Sequence, residues 1–242
     1  MMHGPLFLPA SVSEHVPDIA VAVEKHGGNL HTAIVFLRSS SGLFVLDVTI
    51  EGLVRALPIK SEKHNFAWAI PAIDPALRDS VRVLCEKLAD NPPVLFYGLR
   101  YHKSEFAVEG STIRVSLAGD TVGVTCATFV LMIFDSLGLS LVDHDSWRPR
   151  PEDEPHMRNL ADWAAKSVPP DRPYGIAAHV MKRNAADVKC FRFRPEEVLA
   201  TCLLPDSRGC SLDDTESIGV NVRRWVIEAE SLRKSRVLSA GP

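Results

Sequence analysis

Residues 30–50 read LHTAIVFLRSSSGLFVLDVTI and contain the clearest β-hairpin signal in the chain. Two runs rich in β-branched and aromatic residues, 32–37 and 43–50, flank a serine-rich segment that ends in Gly42. Such runs on either side of a glycine-containing turn are typical of an antiparallel hairpin. The stretch therefore predicts antiparallel β-structure early in the chain, with His31 opening the first strand and Asp47 inside the second.

A second stretch, residues 123–139, reads GVTCATFVLMIFDSLGL and predicts a helix over 126–137. Thr125 is a good N-cap residue, and Gly138 suits the position just after the helix end. The helix is apolar nearly all round, which is typical of a helix buried on most sides. It is preceded by a glycine-bounded loop, so Cys126 becomes its first residue.

Four further helices and two more β segments are predicted from local pattern, among them a helix over 157–166 and a strand over 188–193. Asp74 is the expected N-cap of a helix over 74–89, with Pro75 at its first position. Residues 195–203 predict a proline-started helix, and residues 217–233 predict an amphipathic one. Residues 111–117 alternate like a β-strand. Together with the hairpin, these elements predict the α+β class.

The chain changes character at residues 147–155, WRPRPEDEP, which are charged, rich in proline and typical of a linker. This change predicts a first domain over 1–146 and a C-terminal α/β extension over 147–242. The extension either forms a separate unit or packs on the first domain. The pattern of the extension indicates no function.

Composition excludes several classes of protein. The chain has 242 residues, with 27 Lys and Arg against 30 Asp and Glu, and a net charge of −3. This balance gives no electrostatic basis for binding nucleic acid. Hydrophobic residues make up 46% of the chain, which is the composition of a globular protein with a sizeable core. The oligomeric state is not indicated.

The compartment is expected to be the reducing cytoplasm. The five cysteines are an odd number at scattered positions, which predicts neither a disulfide framework nor a zinc site. The first residues lack the basic segment of a secretory signal, and the longest apolar stretch, 127–134, is too short to cross a bilayer. No nucleotide-binding glycine motif is present, so we expect no cofactor and no metal.

Cys126 is the strongest candidate for a catalytic residue. In the first turn of a helix, unpaired N–H groups and the helix dipole favour a negative charge. These conditions lower the pKa of a thiol, and the thiolate is the nucleophilic form. The same N–H groups are placed to bind the oxyanion of a tetrahedral intermediate. The alternative is a buried structural cysteine; the glycine-bounded loop before Cys126 favours the catalytic interpretation.

A thiolate nucleophile needs a base, and the base must be held by a third group. His31 follows a glycine-containing turn and is either this base or a half-buried structural histidine. Asp47 interrupts the apolar run FVLDV and needs a partner, because burial of a lone carboxylate is costly. The hairpin brings Asp47 beside His31, so Asp47 is predicted to orient His31. Glu51, at the far end of the strand, is the rival.

The remaining candidates are weaker. His64, Trp68, Tyr97 and Tyr101 either line a substrate cleft or pack in the core, and packing is favoured. Residues 143–145, Asp-His-Asp, have the composition of a metal site. Adjacent side chains point in different directions, however, so a polar loop is the preferred interpretation.

The order of these residues resembles a known family. A histidine opening a strand (LHTAIVFL), a polar residue on the next strand (FVLDV) and a later cysteine opening an apolar helix (GVTCATFVLMIFDSLGL) resemble the circularly permuted NlpC-type, papain-like superfamily. Ordinary members have the cysteine helix first, whereas the permuted amidases and the lecithin retinol acyltransferase group have the histidine first. The resemblance covers about residues 29–141. Asp47 departs from it, because its spacing from the histidine is longer than in the family's commonest hairpin.

The resemblance implies a papain-like fold in which an antiparallel sheet packs on a central helix bearing the cysteine. It implies a cysteine hydrolase (an amidase or peptidase) or a related acyltransferase or thioesterase, acting on a peptide, amide or acyl substrate. Cys126 would attack the carbonyl, His31 would exchange the proton and Asp47 would orient His31. The alternative is a non-catalytic binding or effector module of the same fold, because a fold does not determine function.

Overall fold

The computed structural model describes residues 6–7, 18–26, 28–38, 41–50, 52–59, 66–98, 100–118, 123–167 and 191–239. They form a mixed α+β protein with a six-stranded antiparallel sheet of order β1-β6-β2-β3-β4-β5. The strands are β1 (Leu6–Phe7), β2 (Ile19–His26), β3 (Asn29–Arg38), β4 (Gly42–Val48), β5 (Val54–Pro58) and β6 (Ala67–Ala69). The predicted α+β class and antiparallel sheet are confirmed.

Strands β3 and β4 are the predicted hairpin. Arg38 pairs with Gly42, whose φ of 87° is a left-handed conformation that glycine adopts without strain. Successive side chains of a strand point to opposite faces, and both faces of this hairpin are buried. One face belongs to the main core and the other to a smaller cluster that includes Ala33, Val35 and Val45. Burial on both faces explains why the two runs are almost continuously apolar.

Within the described ranges, five helices and a second hairpin accompany the sheet. The helices are α1 (Pro75–Asp90), α2 (Cys126–Asp135), α3 (Asp153–Ser167), α4 (Pro195–Thr201) and α5 (Leu212–Ser239). The second hairpin pairs β7 (Glu105–Glu109) with β8 (Thr112–Ser116). The helices predicted from local pattern and the strand over 111–117 are present, and α5 begins five residues earlier than the predicted 217–233. Of the strand predicted over 188–193, residues 191–193 are not a strand, and 188–190 lie outside the described residues. None of the described helices is both long enough and apolar enough to cross a membrane.

Helix α2 lies in the main core, against β3 and β4. The Thr128 N–H donates to the Thr125 side chain at 3.2 Å, and the Thr125 N–H donates to the Thr128 hydroxyl at 2.7 Å. This reciprocal cap fixes the start of α2 at Cys126. Beyond the last turn, Gly138 has a φ of 70°, as expected for a residue that terminates a helix. Both cap residues therefore occupy their predicted positions.

Residues 147–155 do not form the exposed linker that their composition predicts. Trp147 is 4% exposed, and its ring lies 5.0 Å from that of Phe193. The buried Arg150 side chain forms ion pairs with Asp153 and with Glu197. The stretch is therefore anchored to the core at Trp147, Arg150 and Asp153, and the charges of Arg150 and Asp153 are buried in mutually paired form, while Arg148 and Glu152 are exposed.

The core is continuous across residue 146. Helices α4 and α5 pack on the sheet, and α4 also contacts α2. They contribute apolar side chains to the cluster that surrounds α2, among them Val198, Leu199 and Val222. The main core therefore contains residues from both sides of the predicted boundary between 1–146 and 147–242. Independent folding of residues 1–146 stays a prediction.

Candidate active site

The candidate site lies where β3 and β4 stop pairing. Their ladder runs from Arg38 opposite Gly42 to Ile34 opposite Leu46. Beyond that point β3 stays paired with β2, and β4 stays paired with β5. Helix α2, which begins at Cys126, packs on β3, and the backbone of Thr32 on this part of β3 contributes to the lowered pKa of the Cys126 thiol. The first turn of the helix therefore meets the sheet where the two strands separate.

His31 and Asp47 contact each other across this separation. The His31 Nε2 atom lies 2.9 Å from Asp47 Oδ2. Asp47 is 3% exposed, while the His31 side chain is 19% exposed, so the pair sits at the edge of the core. The hydrogen bond that the hairpin predicts is present. Glu51, the predicted rival of Asp47, lies outside the described residues.

Arg55 fixes the Asp47 carboxylate from the other side. Its Nε donates to Asp47 Oδ1 at 2.6 Å and its Nη2 donates to Oδ2 at 2.8 Å, a two-pronged pairing that sets the plane of the carboxylate. The two residues are directly opposite on β4 and β5. Burial alone would raise the pKa of Asp47, but the hydrogen bonds from Arg55 and His31 lower it below its usual value. Asp47 is thus an ionised acceptor for His31.

The sequence analysis did not single out Arg55. The contact of Arg55 with Asp47 can be predicted only when the register of β4 and β5 is known. A shift of one residue would move the Arg55 side chain to the other face of the sheet.

His31 and Cys126 lie close enough to shift each other's pKa, and Asp47 occupies the Nε2 side of the ring. Burial alone lowers the pKa of His31, but the hydrogen bonds to Asp47 and Cys126 raise it to about 10. Burial alone raises the pKa of Cys126, but the hydrogen bonds from His31 and Thr32 and the charge on Arg192 bring it below its ordinary value. These opposite shifts favour a thiolate–imidazolium pair at neutral pH.

Backbone donors surround the thiol. The cap of α2 uses the N–H of Thr128, which leaves the N–H groups of Cys126 and Ala127 in the first turn without a role in the cap. Such groups have no partner within the helix and point out of its N-terminus. They are placed to hold an oxygen that gains negative charge next to the sulfur.

Tyr97 lies close to Cys126. The loop before α2 is bound to the segment of Tyr97, because the Val124 N–H donates to the Phe96 carbonyl at 2.8 Å. A Cβ atom on Gly123 would lie 2.3 Å from that carbonyl, so only glycine permits this approach. Tyr97 is 8% exposed, as predicted for a packed residue. Burial first and the nearby Cys126 second raise its pKa, so the phenol keeps its proton.

Arg192, just before α4, is the other group that acts on Cys126. It was missed by the sequence analysis, because nothing in the local pattern distinguishes it from the other arginines of the C-terminal region. Its proximity to the thiol is purely a consequence of tertiary packing.

The other sequence candidates lie outside this constellation. His144 begins a short turn, with its Nε2 atom 3.3 Å from Asp135 Oδ2 at the opposite end of α2. Tyr101 donates to the same carboxylate at 2.6 Å, and Trp68 is buried in the smaller cluster. His64 lies outside the described residues. Among the described side chains no group of three or more His, Cys, Asp or Glu is arranged to hold a metal ion.

Comparisons of the chain with protein-family models, with curated proteins and with solved structures found no match. The chemical capacity of the site follows from its geometry. It combines a thiol of lowered pKa, a histidine of raised pKa that acts on it, a carboxylate that orients the histidine and the first-turn N–H groups of the helix that Cys126 begins. These are the parts that nucleophilic catalysis at a carbonyl requires.

Proposed function

We propose that the protein is a cysteine hydrolase or a related acyltransferase, with the permuted papain-like arrangement that its sequence resembles. One observation carries the proposal: Arg55 donates to Asp47, Asp47 is hydrogen-bonded to His31, and His31 and Cys126 shift each other's pKa in the directions that favour an ion pair. A structural cysteine requires no such arrangement, since a thiol buried in apolar surroundings is neutral and inert. The substrates expected of this chemistry are amides, peptides, esters or thioesters.

The proposed reaction has two stages. The Cys126 thiolate attacks the carbonyl carbon, a carbon–sulfur bond forms, and the carbonyl electron pair moves to the oxygen, which the N–H groups of Cys126 and Ala127 bind. The His31 imidazolium gives its proton to the leaving nitrogen, oxygen or sulfur as the tetrahedral intermediate collapses. Water, or the hydroxyl or amine of an acceptor, then loses its proton to His31 and attacks the acyl-enzyme. Cys126 leaves as the thiolate.

Alkylation by iodoacetamide across pH tests the proposal. We expect Cys126 to react fastest of the four cysteines in the described ranges, and its rate to level off below the ordinary thiol pKa of about 8.5. The plateau is expected at a lower pH than for an ordinary thiol, because the lowered pKa of Cys126 means that the thiolate is present at lower pH. Burial raises the pKa of Cys202 to about 12 and that of Cys210 to about 11, so these thiols should react slowly. Peptide mapping by mass spectrometry assigns each site.

The variant His31→Ala distinguishes two explanations for fast alkylation of Cys126: activation by His31 and simple exposure of the thiol. Loss of the imidazolium should slow alkylation of Cys126 at neutral pH and move its pH profile upward. The exposed His102, changed to Ala, is the matched control and should leave the profile in place. A Cys126 that alkylates as slowly as Cys202, or a profile that His31→Ala does not move, would contradict the proposed nucleophile.

A further inference from the structure

Three exposed apolar side chains lie together beside the candidate site. Leu53 is 36% exposed, Val94 64% and Phe96 42%. Leu53 and Val94 are directly opposite in an antiparallel bridge, so their side chains lie on the same side of the two segments. Phe96 follows Val94 by two residues, and the intervening Leu95 is buried, as in an extended segment whose side chains alternate. We call Leu53, Val94 and Phe96 the apolar row.

One end of the apolar row adjoins the residues that orient His31. Leu53 continues the pairing of β4 with β5, because the Thr49 N–H donates to its carbonyl at 2.9 Å. Leu53 precedes Arg55 by two residues, and alternate residues of a strand share a face of the sheet. Arg55 is directly opposite Asp47 and binds it. The row therefore lies on the face of the sheet that carries the Arg55–Asp47 pair.

The other end of the apolar row is bound to the loop before Cys126. The Val124 N–H donates to the Phe96 carbonyl at 2.8 Å, and the Gly98 N–H donates to the Val124 carbonyl at 3.3 Å. Val124 precedes Cys126 by two residues, which span at most about 7 Å. The Phe96 carbonyl oxygen thus lies within about 12 Å of the Cys126 Cα atom. A substrate whose carbonyl is at the thiol therefore reaches the row with a chain of medium length.

The hydrogen bonds of residues 94–98 favour an alkyl chain over a peptide as the occupant. An extended peptide that adds to a strand needs free backbone N–H and C=O groups along one edge of that strand. On one edge of this segment, the Leu95 N–H donates to the Gly52 carbonyl at 3.1 Å. On the other edge, the two bonds to Val124 are already made. What the row offers a ligand is apolar surface.

We propose that the apolar row binds an unbranched alkyl chain on the acyl side of the substrate, so that the protein cleaves or transfers medium-chain acyl groups. The assignment of this chain to a substrate rests on the proposed function. An alkyl chain laid over the three side chains removes its own apolar surface and theirs from water. Phe96 contributes the largest share of that surface, because an aromatic ring carries the most apolar area.

The test measures the reaction of Cys126 with N-alkylmaleimides. In each reaction the thiolate adds to one carbon of the maleimide double bond, and the neighbouring carbon takes a proton from water. N-ethylmaleimide and N-heptylmaleimide share this step and differ only in the length of the alkyl chain. A maleimide with an ether chain as long as heptyl separates polarity from length. N-acetylcysteine amide supplies the reference ratios, and mass spectrometry of the Cys126 peptide follows the reaction.

We expect the heptyl-to-ethyl ratio of rate constants at Cys126 to exceed the reference ratio by roughly tenfold, as for partial burial of the added methylene groups. The ether chain should give no such excess. Phe96→Ser and Val94→Ser should each lower the excess by about threefold, and Phe96→Leu should keep most of it. Val220→Ser changes a valine of similar exposure on α5 and should not change the ratio. Circular dichroism verifies that each variant is folded.

The outcomes separate this proposal from the proposed function. A ratio equal to the reference, an equal excess with the ether chain, or an excess that Phe96→Ser leaves unchanged overturns the proposal while the nucleophile stands. If Cys126 reacts with none of the maleimides, the proposed nucleophile fails. The row is then decided with the Cys126→Ser protein, whose melting temperature should rise with octanoate and not with butyrate. The absence of that rise, or an equal rise after Phe96→Ser, overturns the proposal.

Discussion

Three neighbouring strands each contribute one residue to the orientation of the candidate base. His31 lies on β3, Asp47 on β4 and Arg55 on β5. Because Asp47 accepts from both cations, its carboxylate keeps its charge while His31 is protonated. The imidazole is thereby held with one nitrogen toward the sheet and the other available to the thiol.

Substitution of Asp47 by Asn tests this arrangement at a single residue. The amide is neutral and its NH2 group replaces one oxygen, so it cannot accept all three hydrogen bonds that the carboxylate takes from Arg55 and His31, and it no longer stabilises the charge on His31. We expect the fold to persist and alkylation of Cys126 at neutral pH to fall roughly tenfold, as for a one-unit rise in the thiol pKa. The iodoacetamide rate, the ultraviolet absorbance of the thiolate and circular dichroism measure these effects.

Asp90→Asn is the matched control, because Asp90 forms an exposed pair with Arg38 far from the thiol. It should leave the alkylation rate unchanged. Equal rates for the Asp47 variant and the unsubstituted protein would show that another group orients His31.

At the scale of elements, the loop before α2 depends on a glycine in a different part of the chain. The Leu95 N–H donates to the Gly52 carbonyl at 3.1 Å, and Phe96, the next residue, accepts from Val124. A Cβ atom on Gly52 would lie 1.8 Å from the Leu95 carbonyl oxygen, and the φ of Gly52 is 77°. Gly52, between β4 and β5, thus positions residues 95–98, which in turn position the start of α2.

Gly52→Ala is therefore expected to have two costs. One is the left-handed conformation of an alanine at this position, and the other is the clash of its Cβ atom with Leu95. Gly42 provides the matched control, because its φ is 87° but its Cβ would meet nothing within 4 Å. Gly42→Ala should lower the free energy of unfolding by about 1–2 kcal/mol, the cost of the left-handed conformation. Gly52→Ala should cost at least about 2 kcal/mol more, because Leu95 must move. Urea unfolding of both variants measures the difference, and similar losses would rule out the close approach.

At the scale of the whole molecule, the main core joins the hairpin, α2 and the C-terminal helices. Leu199 of α4 and Leu131 of α2 are almost completely buried in the same cluster. An undivided core unfolds cooperatively, whereas two independent units give separate transitions.

Leu199→Ala is expected to lower the stability of the entire protein by about 2–5 kcal/mol, as truncation of a buried leucine commonly does. Circular dichroism and the exposure of Cys126 to alkylation should report the same urea midpoint. Val220→Ala, at a position on α5 that is 65% exposed, should change stability by less than about 0.5 kcal/mol. A loss of α4 that leaves the environment of Cys126 intact would instead support an independent domain over 1–146.

Local patterns in the sequence predicted most of the elements and the contact between His31 and Asp47. A hairpin and a capped helix are defined by neighbouring residues, so their turns and caps are visible without knowledge of the fold. The position of β6 between β1 and β2 was not predictable, because it joins segments distant in sequence. The effect of Arg192 on Cys126 was not predictable either, because the two residues are distant in sequence. The ion pairs of Arg150 show that composition alone does not distinguish a linker from a buried network.

The order of the site residues along the chain has a consequence for biosynthesis. The β3–β4 hairpin brings His31 and Asp47 together from segments that leave the ribosome before Cys126 does. Cys126 and then Arg192 follow only after long further stretches have been translated, and N-terminal regions generally fold first. A growing chain would therefore carry an oriented imidazole well before it contains the thiol that the imidazole activates. Nascent chains should thus remain chemically inert until Cys126 and the helices α4 and α5, which share its core, have been translated.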